Sequence, residues 1–499
     1  MSLQKKLIFF QTKAIGHLMC EPDLFIKSAR LGMRENFHGV LYASHKRFAN
    51  RHIIQYWQDF PEHLTIVDRD LEYNRLSAIP GHERFFFDCH REYMVRLNKC
   101  AKYQEIIRGW RGRSPLLRLK PEDAAFGWRV LQQAGIPEGA PFFLFHSREP
   151  GYDRLGFNDF RNTRIETFLP AIEYLTSLGF WCIRMGDSSM KPLTWKMPRV
   201  FDYATSKLKG EEMVLRDTIT MPGGFKDIKT IEGRMDVFLG ATAKAFLNSD
   251  SGVGMLAQTF GVPVCWTNLA PTSFAPFYGN NDITLPRLMW SETEERHLNF
   301  PEVFGSPVAN FRSTSDFQRA RIKPAENTPE ELLEAARELV EKAEGRIAYT
   351  PEEESRQETW NALMGPEHFS YQPAARIGRA FLKRHSNLLM TGAEQRITEA
   401  KRAADHPQAP PKEHSNERGR RILIKYGHLF TPGPNSVEFL RQVADCLNEI
   451  GATDAAQSLL TQAAQRKLLG RVETLIKSGV GLIPEKVKDR VKHEIARRM

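Results

Sequence analysis

Three groups of polar and small residues directly follow short apolar runs in this chain of 499 residues. They are His146-Ser147-Arg148, Arg184-Met185-Gly186-Asp187 and Ser249-Asp250-Ser251-Gly252. Open α/β sheets bind ligands in the crevice outside the carboxyl ends of their strands, where such groups would lie. An arginine there can hold a pyrophosphate through two hydrogen bonds, and a Ser-Asp-Gly helix start leaves backbone N–H groups for an anion. The pattern predicts a crevice that handles a phosphate or a sugar.

Each group also has a purely structural interpretation. Arg148 could form a surface ion pair with its neighbour Glu149. Asp250 could simply cap a helix, since Asp and Ser are preferred capping residues. The segment from Arg184 to Asp187 could be an ordinary turn between a strand and a helix. The succession of all three groups at predicted strand ends favours the binding interpretation.

Two further segments add polar side chains to the same predicted edge. Arg161 and Asn162 lie in a loop that is more polar than a connection needs, which favours a binding loop. Lys191 follows the second apolar run and could reach a phosphate.

A possible catalytic base lies near the start of the chain, in Ile15-Gly16-His17. Gly16 at a strand-to-helix turn allows backbone N–H groups to approach a ligand closely. His17 would act as general base on an acceptor hydroxyl, with Glu21 and Asp23 just behind it on the following helix. A histidine that only caps the helix is an equally weighted alternative.

Other catalytic classes lose support because their motifs are missing. The chain has no G-x-G-x-x-G, P-loop or G-x-S-x-G motif in a fitting context, which disfavours dinucleotide oxidoreductases, P-loop NTPases and α/β-hydrolases. Asp68-Arg69-Asp70 has the Asp-x-Asp form of a metal site, but aspartates at a strand end are common turn formers. We therefore expect chemistry without a metal or a resident cofactor.

The elements that position these residues alternate between strand and helix. Apolar runs predict strands at Leu7–Phe10, Gly39–Ala43 and Leu64–Val67, with a helix over Lys46–Gln58. A second series predicts strands at 142–147, 180–185, 244–248 and 262–266, and helices from Pro121 and over 164–178, 232–241 and 252–260. Such alternation implies parallel sheets with right-handed crossovers. The prediction is an α/β chain with two Rossmann-like, doubly wound domains.

The chain is too long for one core, so we divide it into four parts. Residues 1–120 form the first domain, and residues 121–385 form the second, closed by a helix that a capping box opens at Thr328. Residues 386–415 are a linker, and residues 416–499 are an all-helical tail. The tail matches the spacing of one tetratricopeptide repeat, although an ordinary helical hairpin is at least as good an interpretation.

Composition indicates a globular protein of a reducing compartment. Hydrophobic residues make up 41% and charged residues 26%, and the six cysteines lie far apart, which suits the cytoplasm. The formal charge of +10 favours anionic partners, but it is diffuse. The Arg108–Arg113 cluster stands without a nucleic-acid motif, so no nucleic-acid partner is expected. The basic C-terminal helix would either touch an anionic membrane surface or remain solvated.

Taken in order, these motifs resemble a bacterial family of glycosyltransferase-like proteins associated with surface-polysaccharide loci. The resemblance rests on Ile15-Gly16-His17, His146–Tyr152, Phe160-Arg161-Asn162, Leu169–Leu175, Arg184-Met185-Gly186 and Ser249–Gly252, and spans about residues 1–385. It implies a GT-B-like fold, in which two Rossmann-like domains face a cleft and the C-terminal one holds the sugar nucleotide.

Two narrower similarities imply roles for single residues. Ser249–Gly252, with Gly261-Val262-Pro263-Val264 after it, is similar to the donor-phosphate region of heptosyltransferases, which carry an aspartate as base where this chain has His17. His146-Ser147-Arg148 is similar to an element of GT-B fucosyltransferases whose arginine binds the phosphates of GDP-fucose. The two similarities imply different donors, so the sugar stays open.

The resulting hypothesis is a metal-independent transfer of a sugar from a nucleotide sugar to a hydroxyl of a glycan, a lipid-linked glycan or a protein. His17, or Glu21 in its place, would be the base. The predicted donor-binding residues are Gly16, His146, Arg148, Arg161, Asn162, Arg184, Gly186, Asp187, Lys191, Ser249, Asp250, Ser251 and Gly252. The rival hypotheses are a catalytically degenerate scaffold that recruits partners through the tail and a nucleotide-sugar epimerase, which would need NAD.

Overall fold

The computed structural model describes residues 5–10, 12–34, 37–42, 48–67, 83–86, 98–151, 156–187, 189–209, 231–273, 279, 281–365, 368 and 371–389. These residues belong to one compact unit, Met1–Arg402. The predicted helical tail, nearly all of the predicted linker and Asp68-Arg69-Asp70 lie outside the described residues. The proposed domain boundary at residue 120 stays a prediction.

Strands and helices alternate along the described chain. The strands are β1 (Lys5–Phe9), β2 (His38–Tyr42), β3 (Leu64–Val67), β4 (Glu83–Phe86), β5 (Phe142–His146), β6 (Trp181–Arg184), β7 (Val200–Phe201), β8 (Ala245–Ser249), β9 (Val264–Leu269), β10 (Ile283–Pro286), β11 (Leu288–Ser291), β12 (Arg296–His297), β13 (Ile322–Ala325) and β14 (Arg376–Ile377). The α-helices are α1 (Ile15–Arg30), α2 (Ile54–Trp57), α3 (Asn98–Gly109), α4 (Pro121–Gln133), α5 (Leu169–Ser177), α6 (Ile231–Thr242), α7 (Gly254–Thr259), α8 (Phe300–Phe304), α9 (Thr314–Ala320), α10 (Pro329–Ala343), α11 (Pro351–Ala362) and α12 (Arg379–Arg384).

Two parallel sheets organise the structure. The first has the order β3-β2-β1-β4, and the second has the order β14-β10-β9-β8-β5-β6-β7. A small antiparallel sheet, β12-β11-β13, adjoins the second. In the second sheet the strand order reverses between β5 and β8, which makes their carboxyl ends the topological switch point where such folds bind ligands. The predicted α/β class with parallel sheets is confirmed.

Most predicted elements are confirmed to within one to three residues, and two helices are corrected. Within the described residues, the helix expected over Lys46–Gln58 is only the single turn α2. The hydrogen bond from the backbone N–H of Ile53 to Asn50 Oδ1 forms a turn just before α2. The helix expected over 164–178 is split into a 3-10 segment, Ile165–Phe168, and α5. Proline in the first turn of α5 has no N–H to continue the preceding hydrogen-bond pattern.

Helix boundaries follow their capping residues. Helix α4 begins at Pro121, and Gly135 just beyond its end adopts φ of 79°, as a chain reversal after a helix requires. Helix α10 begins with the predicted capping box, in which Thr328 and Glu331 each accept the other's backbone N–H. These two predictions are confirmed.

One hydrophobic cluster runs from the first sheet to a face of the second. It contains Ile8 of β1, Phe25 of α1, Phe126 of α4, Phe238 of α6 and Leu256 of α7, all of them buried. The opposite face of the second sheet packs against a separate cluster built from α5, α10 and α12. The two parallel sheets are therefore joined through a shared apolar core, in which burial of each large side chain contributes roughly 1.5–3 kcal/mol.

A buried ionic network lies within this junction. Asp123 of α4 is fully buried and accepts hydrogen bonds from His52 Nε2 (2.7 Å), Tyr56 Oη (2.5 Å) and Arg234 Nε (2.5 Å). Burial alone would raise the pKa of Asp123, but these donors hold the pKa below its usual value. The network ties the segment around α2 to α4 and α6, because none of its charges can be left alone without a large desolvation cost.

Among the residues that the structure describes, no helix is long and apolar enough to cross a membrane.

Candidate functional site

A cavity of about 510 Å³ lies at the carboxyl edges of the two parallel sheets. The segment after β1 forms one wall, and the segments after β5, β6 and β8 form the other. Most predicted site residues line it, namely Gly16, His17, His146, Arg148, Arg161, Gly186, Asp187, Asp250, Ser251 and Gly252. The fold thus gathers these residues into one place, while their individual roles stay predictions.

Two glycines form a contact across this cavity. A Cβ atom on Gly16 would lie 2.9 Å from Gly252 Cα, and one on Gly252 would lie 2.8 Å from Gly16 N. Only glycine fits such a close backbone approach. The sequence predicts that Gly16 lets backbone N–H groups approach a ligand; the structure shows that Gly16 and Gly252 also let the two segments approach each other.

His17 and Glu21 lie one turn apart on α1 and face each other. His17 Nδ1 is 2.6 Å from Glu21 Oε1. The Glu21 side chain is fully buried, whereas the imidazole of His17 is 17% exposed and lines the cavity. Glu21 therefore lies behind the histidine and does not reach the cavity itself. Asp23, also expected behind His17, pairs with Lys27 at 2.6 Å.

The capping alternative for His17 does not match the helix start. The N-cap of α1 is Ala14, without a side-chain cap, and His17 lies inside the first turn. Because a carboxylate can only accept a hydrogen bond, Nδ1 carries the hydrogen in this pair. The other ring nitrogen, Nε2, is then the one able to take up a proton in the neutral ring.

Arg161 and Asp250 bind each other at the cavity wall. Arg161 Nε is 2.9 Å from Asp250 Oδ2, and Nη2 donates to Oδ1 (3.0 Å) and to the backbone carbonyl of Asp250 (2.6 Å). Two parallel hydrogen bonds of this kind make a strong charge-assisted pair. The predicted anion-binding residues therefore present a neutral pair, which leaves less charge for a ligand than expected.

Arg148 follows β5 and is only 8% exposed. Its backbone N–H donates to Ser249 Oγ at 2.7 Å, which joins the carboxyl ends of β5 and β8. The Ser249 hydroxyl thus supports Arg148 and does not line the cavity. Glu149, the ion-pair partner of Arg148 in the alternative interpretation, accepts hydrogen bonds from Arg184 and from the backbone N–H of Lys191 (3.2 Å).

Three further predicted donor-binding residues, besides Ser249, lie outside the cavity lining. The fully buried Arg184 donates to Glu149, to Asp202 (3.2 Å) and to the carbonyl of Lys191 (2.7 Å), because a buried guanidinium must have its charge balanced. The Lys191 side chain is exposed. Asn162 donates to Asp159 Oδ1 at 3.0 Å.

His146, the last residue of β5, is 4% exposed and lines the cavity. Its Nδ1 is 2.9 Å from the carbonyl oxygen of Met185. Burial lowers the pKa of His146 to about 4, although the Met185 carbonyl partly opposes that shift. The ring is therefore neutral near pH 7.

The segment after β6 completes the wall. A Cβ atom on Gly186 would lie 2.0 Å from the sulfur of Met190, so a larger residue here would require the Met190 side chain to move. Asp187 Oδ1 accepts from the backbone N–H of Ser189 at 2.8 Å, which closes a turn. A turn is therefore present, but it does not lead to a helix as the alternative interpretation expected: the next described element is β7, and Gly186 and Asp187 both line the cavity.

Asp236 and Trp266 also line the cavity but escaped the sequence analysis. Asp236 lies between the buried Met235 and Val237 on α6. A carboxylate within an apolar stretch is unusual, so this was the available signal.

No protein-family profile matches the chain, and no curated protein matches it. Among solved structures, it is similar to the glycosyl transferase family 9 protein from Veillonella parvula DSM 2008, with 12% identity and a TM-score of 0.39 over 68% of this chain and 97% of that one. It is also similar to TibC, an iron-containing dodecameric glycosyltransferase from enterotoxigenic E. coli H10407, with 13% identity and a TM-score of 0.32 over 57% of this chain and 64% of that one.

Proposed function

We propose that the protein transfers a sugar from a nucleotide-sugar donor to a hydroxyl group of an acceptor. One observation carries the proposal: the His17–Glu21 pair and Arg148 line or support one cavity at the carboxyl edges of two parallel sheets. A base and a buried cation at one cavity are what a transfer with an anionic leaving group needs.

His17 acts on the acceptor in the proposed reaction. Its Nε2 takes the proton of the acceptor hydroxyl while the oxygen forms a bond to the anomeric carbon of the donor. The Glu21 carboxylate holds the ring through Nδ1 and balances the positive charge that the ring acquires. This arrangement favours His17 as the base and Glu21 as the group that orients it.

Arg148 acts on the donor in the proposed reaction. As the bond between the anomeric carbon and the diphosphate oxygen breaks, the diphosphate leaves with the electron pair. A nearly buried guanidinium stabilises that charge far more than a solvated one does. Arg148 supplies positive charge that a metal would otherwise provide, so metal-independent transfer remains our hypothesis.

The acceptor class comes from the family resemblance alone. We propose a glycan, a lipid-linked glycan or a protein hydroxyl, in the biosynthesis of a surface polysaccharide on the cytoplasmic side.

A thermal-shift screen with UDP-, GDP-, ADP- and CMP-sugars tests the proposal. A donor at 100 times its dissociation constant stabilises the fold by ~2.7 kcal/mol. Arg148→Ala should abolish this stabilisation, whereas Arg319→Ala should keep it, since Arg319 is 74% exposed and pairs with Asp316 on α9. Mass spectrometry of the product then identifies the acceptor.

Three outcomes would contradict the proposal. If no nucleotide sugar and no nucleoside diphosphate stabilises the protein, the scaffold hypothesis is favoured. If a donor binds equally well to Arg148→Ala, the donor site lies elsewhere. Reduced NAD in the absorbance spectrum of the purified protein would favour the epimerase instead.

A further inference from the structure

His146 holds a position that the proposed reaction does not use. It ends β5 at the topological switch point, and its register partner on β8 is Asn248. Both side chains are at least nine-tenths buried, and His146 lines the cavity two residues before Arg148. A histidine buried at this edge needs a hydrogen-bond partner for each of its two ring nitrogens.

The partner of Nδ1 defines the tautomer of the ring. The carbonyl oxygen of Met185, 2.9 Å away, can only accept, so Nδ1 carries the hydrogen. The neutral ring then has a bare lone pair on Nε2. His146 is therefore an acceptor at Nε2, and burial keeps it in that form by opposing protonation.

Among the described residues, Nε2 of His146 has no hydrogen-bond partner. The neighbouring Asn248 shows the same deficit: its Nδ2 donates to the carbonyl of Ser251 at 2.9 Å, and its Oδ1 lacks a donor among these residues. Both deficient atoms are acceptors. Buried acceptors without donors are costly, so acceptors left unpaired at the edge of a cavity are suited to a ligand that brings a donor.

We propose that Nε2 of His146 accepts a hydrogen bond from a hydroxyl group of the bound nucleotide sugar, an inference that rests on the proposed function. The ionised phosphates of the donor have no hydrogen to give, so they belong with Arg148. A hydroxyl of the ribose or of the transferred sugar has one. His146 would thus select hydroxylated donors against deoxy analogues, because an analogue without the hydroxyl leaves the acceptor unpaired.

Two substitutions separate the ring's two hydrogen bonds. In His146→Asn the amide can still donate to Met185 near the Nδ1 position, but no acceptor remains near Nε2. In His146→Gln the amide oxygen can reach the Nε2 position, while the bond to Met185 is lost. The pair therefore distinguishes loss of the acceptor from loss of the structural contact.

Calorimetry measures the affinity of the nucleotide sugar that gives the largest shift in the screen. The same measurement is made with analogues that each lack one ribose or sugar hydroxyl, and the affinities are compared. One neutral hydrogen bond corresponds to about a 3- to 10-fold preference of the wild type for the hydroxylated ligand. His146→Asn should lose this preference, and His146→Gln should keep part of it. The analogue that binds the wild type more weakly identifies the hydroxyl as ribose or sugar.

The wild-type arm needs no variant, so it remains decisive even if a substitution impairs folding. If the wild type binds every deoxy analogue as tightly as the parent, the inference is overturned while the proposed function stands. If His146→Asn keeps the wild-type preference, another residue contacts the hydroxyl, and the inference also fails. If the wild type binds no nucleotide sugar, the proposed function fails and the inference fails with it.

Discussion

Replacing Glu21 by glutamine tests whether the buried carboxylate makes His17 an effective base. The carboxylate is fully buried and 2.6 Å from Nδ1, so it balances the charge of the ring with little solvent screening. Hydrogen bonds to charged groups contribute about 1.5–3 kcal/mol. If that energy is gained only when the ring takes up a proton, Glu21→Gln should lower kcat ~10- to 150-fold and leave donor affinity unchanged.

The assay is turnover with the donor from the screen, together with calorimetric donor binding and unfolding of each variant. Asp23→Asn is the matched control, because Asp23 is a buried carboxylate on the same helix that pairs with Lys27. It should change stability but not kcat relative to the folded fraction.

A double-mutant cycle makes the test decisive. If Glu21 acts only through His17, Glu21→Gln should have no further effect on turnover in the His17→Ala background. Additive losses in the two backgrounds would show that Glu21 acts independently. An unchanged kcat in Glu21→Gln would refute the assigned role of the pair.

Three further changes probe the surroundings of the cavity. Gly252→Ala should destabilise the fold by ~1–3 kcal/mol in denaturant unfolding, since its Cβ would lie 2.8 Å from Gly16 N. Burial lowers the pKa of His146 to about 4, whereas the same side chain in the unfolded chain keeps its ordinary pKa of 6.5. As the pH falls through 6.5, the unfolded chain therefore takes up a proton that the folded protein does not, and the free energy of unfolding decreases. Between pH 7.5 and 5 the wild type should lose about 2 kcal/mol more of this free energy than His146→Gln. Asp123→Asn should cost ~3–5 kcal/mol, measured the same way, by leaving Arg234 without its buried counter-charge.

The strands around the site could be predicted because each is a short apolar run. Phe142–His146 and Ala245–Ser249 are buried on both faces, as central strands of a parallel sheet are, so their hydrophobicity is continuous. The polar residues at their ends then had to meet at one edge. The edge that carries the cavity could therefore be predicted from local pattern alone.

The pairing within the site could not be predicted in the same way. Arg161 binds Asp250 across 89 positions, and Arg234 binds Asp123 across 111. Sequence pattern identifies each group as suited to an anion or a cap, but it does not reveal that two such groups neutralise each other. The position of Glu21 behind His17 could be predicted, because residues four apart lie on the same face of a helix.

The contact between Gly16 and Gly252 connects the segment that carries His17 with the segment that carries Asp250. Gly16 immediately precedes His17, and Gly252 follows the Asp250 that binds Arg161. Since the two backbones lie in close contact and the apolar core continues beneath both sheets, the proposed base and the proposed donor-binding residues share one packed support. Positioning of the reacting groups within about 1 Å strongly affects rates, and a shared support provides it without a large closing motion.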